Sequence, residues 1–448
     1  MSHMSGTSFR LYAFFHRLRD WERRRFTRPG LGVLGGLIVA TAMAPDTDNN
    51  VAYQAVTLLL FLLLTGVLFS FVFRGRFRIE RVMPRFGTAG APLQYHVTLK
   101  NLSPKPERGL ALLEELVDQR PSYREWMALQ KLQHRRLRSF RMGQGSRVNP
   151  FKVATVKDAL VPAAAPGEEV EVPLELTPHR RGVLQLKGLV VARADPLGLF
   201  RAFRRLPLPQ NLLVLPKRYP LPPIALPGTM KYQEGGVALA SNVGQSEEFM
   251  ALRDYRHGDP LRHIHWRSWA KTGKPVVKEF EDEFFVRHAL VLDTFTEDPY
   301  SEIFEEAVSV AASFACTIPN QESLLDLMFV GTETYCFTAG RGLAHADQML
   351  EILAGVRVSL DHSFERLEHL VLDHVGVVSG VICVLLAWDP PRHELVRKLR
   401  ALDVPLLVLV LAPAGKADDF PAGPMSDQPD RFRVIELSKV EQGLRNLR

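Results

Sequence analysis

Between Gly244 and Glu281 the chain reads GQSEEFMALRDYRHGDPLRHIHWRSWAKTGKPVVKEFE. Arg253, Arg256, Arg262, Arg267, Lys271, Lys274 and Lys278 alternate there with Glu247, Glu248, Asp254, Asp259 and Glu279, and Tyr255, Trp266 and Trp269 sit among them. Guanidinium forks and carboxylates at this density lock one another into defined pairs, and aromatic faces give the guanidinium planes something to stack on. That chemistry serves either of two ends: a salt-bridge network that holds a loop, or a recognition surface for a partner or an anion. Gly258-Asp259-Pro260 marks a turn, because Gly tolerates positive φ and Pro fixes its own. The stretch reads as too charged for a core strand or helix. His257, His263 and His265 cluster in it, but their spacing around a turn, with no nearby Cys, suits a surface role better than zinc ligation. The chain contains no G-x-x-x-x-G-K-[ST], H-E-x-x-H or G-x-S-x-G. No catalytic constellation emerges, and the chain reads as non-enzymatic.

Glu248, Phe249, Leu252, Arg253, Tyr255, Gly258, Asp259, Arg262, Ile264, Trp266, Ala270 and Lys271 fit E-F-x-x-L-R-x-Y-x-x-G-D-x-x-R-x-I-x-W-x-x-x-A-[RK]. That order resembles the signature of the family called domain of unknown function fifty-eight. The family usually carries Asp between the Ile and the Trp, where this chain has His265. Upstream, Asp195-Pro196-Leu197-Gly198-Leu199-Phe200 resembles the family's D-P-[FL]-G-L turn. The resemblance covers most of the chain. It implies a membrane-anchored adaptor working with a MoxR-type AAA+ ATPase and a membrane protein bearing a transglutaminase-like domain, in chaperone-like assembly or envelope maintenance. On that reading Glu248, Phe249, Arg253, Tyr255, Gly258, Asp259, Arg262, Trp266 and Lys271 form the partner-binding surface.

The elements that would position this surface begin with a membrane segment. Residues 1–28 are arginine-rich and partly amphipathic, suited to lie at a lipid surface with the arginines snorkelling. Residues 29–73 hold two apolar runs, Leu31 to Ala44 and Val51 to Phe73, separated by Asp46, Asp48, Asn49 and Asn50. The second is long enough to span, since a bilayer core needs roughly 20 apolar residues. Ala42-Met43-Ala44 also resembles a signal-peptidase site, although the second run would still anchor a cleaved chain. Arg23, Arg24, Arg25 and Arg28 precede the runs and Arg74, Arg76 and Arg78 follow them. The positive-inside rule then predicts a two-pass protein of the inner membrane with both termini and the soluble domains cytoplasmic.

At 448 residues, with 46% hydrophobic and 23% charged residues, the chain has material for two or three folded domains. From 77 to 216 short runs of period two, such as Arg78 to Val82 and Gln94 to Leu99, predict a β-sandwich, immunoglobulin-like in its spacing. A basic insert at 119–150 interrupts it, with Lys131, Arg135, Arg136, Arg138, Arg141 and Arg147 beside Tyr123, Trp126 and Phe140. With a net charge of +7, this insert makes anionic-lipid or nucleic-acid binding an alternative function. No nucleic-acid motif accompanies it, so nucleic acid is the weaker partner. The charged signature occupies 217–285.

Beyond it, 286–448 alternates near-continuous apolar strands with helices, the pattern of a parallel sheet covered on both faces. Cys316, Cys336 and Cys383 fall in its apolar surroundings and read as reduced core thiols. Ligands in such sheets sit beyond the carboxyl ends of the strands, where Asp293 and Asp389 follow apolar runs. This order resembles a von Willebrand factor A domain, a fold that often holds Mg²⁺ through D-x-S-x-S and a later Asp. Asp293 matches, but Phe295 and Glu297 stand at the serine positions, and Thr294 and Thr296 are out of register by one residue. Alternate residues of an extended segment face opposite ways, so neither threonine replaces a serine. A metal-free interaction fold is expected, with a degenerate Mg²⁺ site at Asp293 and Asp389, and a metal-dependent enzyme there, as the other readings. Asp298-Pro299 and Asp389-Pro390-Pro391 read as helix starts with Asp as the cap.

Overall fold

The structure is a computed structural model that describes residues 25–43, 50–117, 152–222, 249–257, 259, 261, 264–280, 286–318, 323–340, 346–360 and 363–447. The chain divides into two compact units, Met1–Pro216 and Lys217–Arg448.

The first unit opens with helices α1 (Arg28–Met43) and α2 (Asn50–Val72). No charged residue interrupts the 23 residues of α2, and its span Val51–Val72 reaches a mean hydropathy of 2.6 while burying only 11% of itself in the protein. It is the one helix among the described residues long and apolar enough to cross a bilayer. The 16 residues of α1 are apolar but shorter.

Two sheets follow. One has strand order β1-β3-β7-β5, from β1 (Phe77–Val82), β3 (Leu93–Asn101), β5 (Ala154–Val156) and β7 (Glu169–Pro178). The other runs β2-β9-β8-β4-β6, from β2 (Phe86–Thr88), β4 (Leu110–Leu116), β6 (Ala159–Val161), β8 (Gly182–Ala194) and β9 (Arg201–Leu215). Alternation places Tyr95, Val97 and Leu99 of β3 and Val172, Leu174 and Leu176 of β7 in one core with Leu110, Leu112, Leu184, Leu186 and Leu212 of the second sheet. Strand β9 runs 15 residues although its first half carries Arg204, Arg205, Pro207 and Pro209. Prolines are tolerated there because β2 covers only Leu213–Leu215, and β8 bulges between Leu186 and Gly188 opposite Pro207. The insert at 119–150 lies outside the described residues.

In the second unit the charged stretch is not a loop. Phe249–Asp254 (β10) and Val276–Phe280 (β11) pair antiparallel, with Arg253 opposite Val277 and Asp254 opposite Val276, and the short helix α3 (Trp266–Thr272) sits between them. The charged stretch does carry a strand pair and a helix, and no residue of that helix is buried. Pairing needs backbone groups, and Val276 and Val277 are buried on the two faces of β11.

A six-stranded sheet of order β14-β13-β12-β15-β16-β17 completes the unit: β12 (Arg287–Leu292), β13 (Leu324–Val330), β14 (Thr334–Ala339), β15 (Gly380–Leu385), β16 (Leu406–Ala412) and β17 (Phe432–Glu436). All pairs are parallel except β13 with β14. Helices α4 (Glu302–Thr317), α5 (Ala346–Gly355), α6 (Glu365–His374), α7 (Pro390–Ala401) and α8 (Val440–Arg445) accompany it. Strands β13, β15 and β16 are buried at every residue, as expected where both faces are covered. The antiparallel edge strand β14 carries Cys336 exposed, so only Cys383 of the three thiols is a fully buried core residue. Helix α4 starts at Ser301, whose hydroxyl accepts from the Phe304 N–H at 3.2 Å, rather than at Asp298, which accepts from Tyr300 N–H instead.

Candidate functional site

The strands β12 and β15 lie side by side, Leu292 opposite Val384, while the chain leaves them toward opposite sides of the sheet. That is the switch point where a cleft opens in α/β sheets. Asp293 is the first residue past β12; its N–H donates to the Val384 carbonyl (2.9 Å) and its side chain is fully buried. Asp389 caps α7 with Pro390 and Pro391 in the first turn, as the sequence predicted. Three residues on, Arg392 points back along the helix toward both acids.

Arg392 joins them. Its Nε donates to Asp293 Oδ2 (3.0 Å) and one terminal nitrogen to Asp293 Oδ1 and the Phe295 carbonyl (3.2 Å each). The other terminal nitrogen donates to Asp389 Oδ2 (2.7 Å), and the guanidinium lies 4.5 Å from the Phe364 ring centroid. Asp293 also accepts the N–H of Phe295 (3.0 Å) on Oδ1 and of Leu386 (3.1 Å) on Oδ2. Each carboxylate oxygen thus receives two donors, which fills its acceptor capacity. Burial pushes the Asp293 carboxyl upward from the usual carboxylate range, and Arg392 with the two backbone N–H groups pulls it back.

This donor set does not fit a divalent cation. A hard ion needs free oxygen lone pairs, and both oxygens of Asp293 are spoken for by a side chain that already carries positive charge. Phe295, at a serine position, belongs to the core cluster, and Thr294 turns away to donate to the Val330 carbonyl at 2.5 Å. The structure does bring Asp293 and Asp389 to one place, but around a guanidinium. A cleft of about 400 Å³ lies over it, lined by Glu297, Ile303, Ser359, Leu360, Asp389 and Arg392 among others. Arg392 was invisible to the sequence reading; its only signal is the i, i+3 spacing from Asp389 in a helix's first turn.

The signature hairpin is organised by a second ion pair. Arg253 donates from both terminal nitrogens to Asp259, 2.7 and 2.8 Å to Oδ2 and Oδ1, and the Arg256 N–H donates to Oδ2 at 2.8 Å. With Arg253 foremost, these donors hold the Asp259 carboxyl down at about 2. Tyr255 N–H donates to the Pro275 carbonyl (3.0 Å), and His265 N–H to Val276 (2.8 Å), tying the excursion to β11. His265 sits at the N-cap of α3, its Nδ1 accepting from the Ser268 N–H at 3.3 Å and lying 2.6 Å from the Ser268 hydroxyl. The departure from the family's Asp therefore keeps an acceptor at the cap. Trp266 and Trp269 stack at 5.3 Å between centroids, and Trp266 is 63% exposed. Leu261, Arg267, Lys271 and Lys274 are exposed as well. Phe249 opens β10 opposite Phe280; Glu248, Gly258 and Arg262 lie outside the described residues.

Residues 251–403 match the model of a family described as "Protein of unknown function DUF58". An uncharacterized Bacillus subtilis protein, YeaD, is 29% identical over 184 residues, an alignment covering 40% of this chain and 44% of that protein. Among solved structures, a CARDB domain from Pyrococcus furiosus aligns over 31% of this chain and 94% of its own, with 12% identity and a TM-score of 0.16. A cohesin module from a Clostridium perfringens family 33 glycoside hydrolase aligns over 32% and 98%, with 14% identity and a TM-score of 0.16. Scores this low bear on neither fold nor function.

Proposed function

We propose that this chain, whose residues 251–403 carry the DUF58 match, is a membrane-tethered, non-enzymatic docking protein. Its tether is a two-pass hairpin of α1 and α2, and its soluble parts face the cytoplasm. Its first unit is an immunoglobulin-like sandwich, and its second ends in a von Willebrand factor A-like domain whose cation position holds Arg392. The partner is a MoxR-type AAA+ ATPase, acting in chaperone-like assembly or envelope maintenance alongside a transglutaminase-like membrane protein.

The observation that carries this reading is Trp266, exposed and stacked on the half-buried Trp269, on a helix that also exposes Arg267 and Lys271. Trp and Arg dominate protein-binding hot spots, and a large aromatic left in water on a helix beside basic side chains suits a partner's surface. The Arg253–Asp259 fork ties the end of β10 to the segment that leads into this helix. At the strand ends, Asp293 is saturated by Arg392, which leaves no free base or metal ligand on that carboxylate.

The test is capture of the purified ATPase by the full chain in detergent. Trp266→Ala should lower capture at least tenfold with folding intact, and Arg253→Ala should lower it by loosening the turn. Undiminished capture by a folded Trp266→Ala/Trp269→Ala variant would remove this surface from the interface.

A further inference from the structure

The Asp195–Phe200 turn, singled out in the sequence and unused by the docking head, connects β8 to β9. It is internally rigid. Asp195 Oδ1 accepts the N–H groups of Leu199 (2.6 Å) and Phe200 (3.2 Å), Asp195 N–H donates to the Phe200 carbonyl (2.9 Å), and Gly198 takes φ +69°.

Both apolar helices close on this turn through glycines. Thr27 N–H donates to the Leu199 carbonyl at 3.2 Å, the Thr27 hydroxyl donates to Gly198 O, and Phe26 meets Phe200 edge to face at 5.2 Å. A Cβ on Gly30 of α1 would run into the Leu199 carbonyl oxygen. A Cβ on Gly66 of α2 would stand 2.6 Å from Asp195 Oδ2, a buried oxygen without a hydrogen-bond partner among the described residues. The turn therefore occupies a notch level with Gly30 and Gly66.

That level limits how far the helices reach. From Gly30 to the end of α1 is about 20 Å, and from the start of α2 to Gly66 about 25 Å, at 1.5 Å per residue. A hydrocarbon core is about 30 Å thick. Helices that cross it must bring the turn down to the boundary between headgroups and acyl chains. At that level the turn leaves Leu197 45% exposed, an apolar side chain at its tip. Arginines gather at the same end of the hairpin. Arg28 begins α1 and Arg74 follows α2, both exposed. Such a pair suits phosphate-bearing anionic headgroups.

We infer that the Asp195–Phe200 turn is a membrane-interface wedge: Leu197 inserts among acyl chains while Arg28 and Arg74 take anionic glycerophospholipid headgroups. The inference rests on the membrane-spanning reading of α1 and α2, and its test separates the two.

The full chain is made with Leu197→p-benzoylphenylalanine, reconstituted in vesicles of equal phosphatidylglycerol and phosphatidylcholine, and irradiated. A second chain carries the same residue at Leu160, 83% exposed on β6, as control. Lipid adducts should form at position 197 and be at least tenfold scarcer at 160. Among them phosphatidylglycerol should exceed phosphatidylcholine about fivefold, a preference lost on replacing Arg28 and Arg74 with Gln. If the chain resists carbonate extraction but both positions give equally few adducts, the wedge is wrong and the span stands. If carbonate releases the chain, both fall. Adducts at 197 with no preference between the two lipids would overturn the headgroup assignment.

Discussion

Arg392 sets its Nε 3.0 Å from Oδ2 of Asp293 and a terminal nitrogen 3.2 Å from Oδ1, across a separation of 99 residues. The pair closes the space at the carboxyl ends of β12 and β15 with the protein's own cation. Removing one partner of a buried pair leaves the other charge uncompensated, so Arg392→Ala should destabilise the second unit by about 3–5 kcal/mol. Arg392→Lys should not restore it, because a single ammonium cannot serve Asp293, Asp389 and the Phe295 carbonyl together. Thermal unfolding of the intact protein should be the same in millimolar Mg²⁺ and in chelator. A clear rise in its midpoint with Mg²⁺ would mean that a metal competes for the site.

The Arg253–Asp259 fork predicts unequal losses. Arg253→Ala and Asp259→Ala should each weaken the hairpin, Asp259→Ala more because it also removes the acceptor of the Arg256 N–H, and the double variant should lose no more than Asp259→Ala alone. Asp259 titrates at about 2 in the fold and at about 3.9 unfolded. The unfolded chain takes up the proton first as pH falls, so the stabilisation is complete above about pH 4 and lost as pH drops through about 2. Amide exchange of the Arg256 N–H, followed against pH, reads this directly.

His265 as a helix cap can be weighed against the family's Asp. His265→Ala should cost about 0.5–2 kcal/mol, and His265→Asp should equal or exceed the native cap because a carboxylate at a helix N-terminus also meets the dipole favourably. Denaturant unfolding of the three proteins decides it; an Ala variant as stable as native would show that the Ser268 contacts contribute nothing.

His288 predicts acid sensitivity near neutrality. It is buried on β12, with Nδ1 lacking a partner among the described residues, and burial pushes its imidazole down to about 4. The unfolded residue protonates near 6.5, so between these values the unfolded state holds more protons and stability falls as pH falls. The loss should approach about 3 kcal/mol between pH 6.5 and 4. His288→Leu should flatten that part of the unfolding-versus-pH curve, and an unchanged curve would assign the sensitivity elsewhere.

Periodicity alone located the elements whose burial is one-sided or total. The near-continuous apolar strands expected within 286–448, and the apolar run Val51 to Phe73, were legible because side-chain composition records the solvent each face meets. The caps at Asp389, with prolines behind it, were equally local and equally legible. The hairpin of β10 and β11 was not, since backbone pairing leaves little mark on so charged a sequence. Nor was the partner of Asp293. A carboxylate after a strand is compatible with metal, catalysis or an ion pair, and the choice depends on which side chain the fold returns to it. Arg392 arrives from a helix begun past the carboxyl end of the neighbouring strand, and only the pairing of β12 with β15 puts its guanidinium within 3.0 Å of Asp293. The same holds for Gly30 and Gly66: each is an ordinary glycine in an apolar helix until the turn at Asp195 occupies the space a side chain would need.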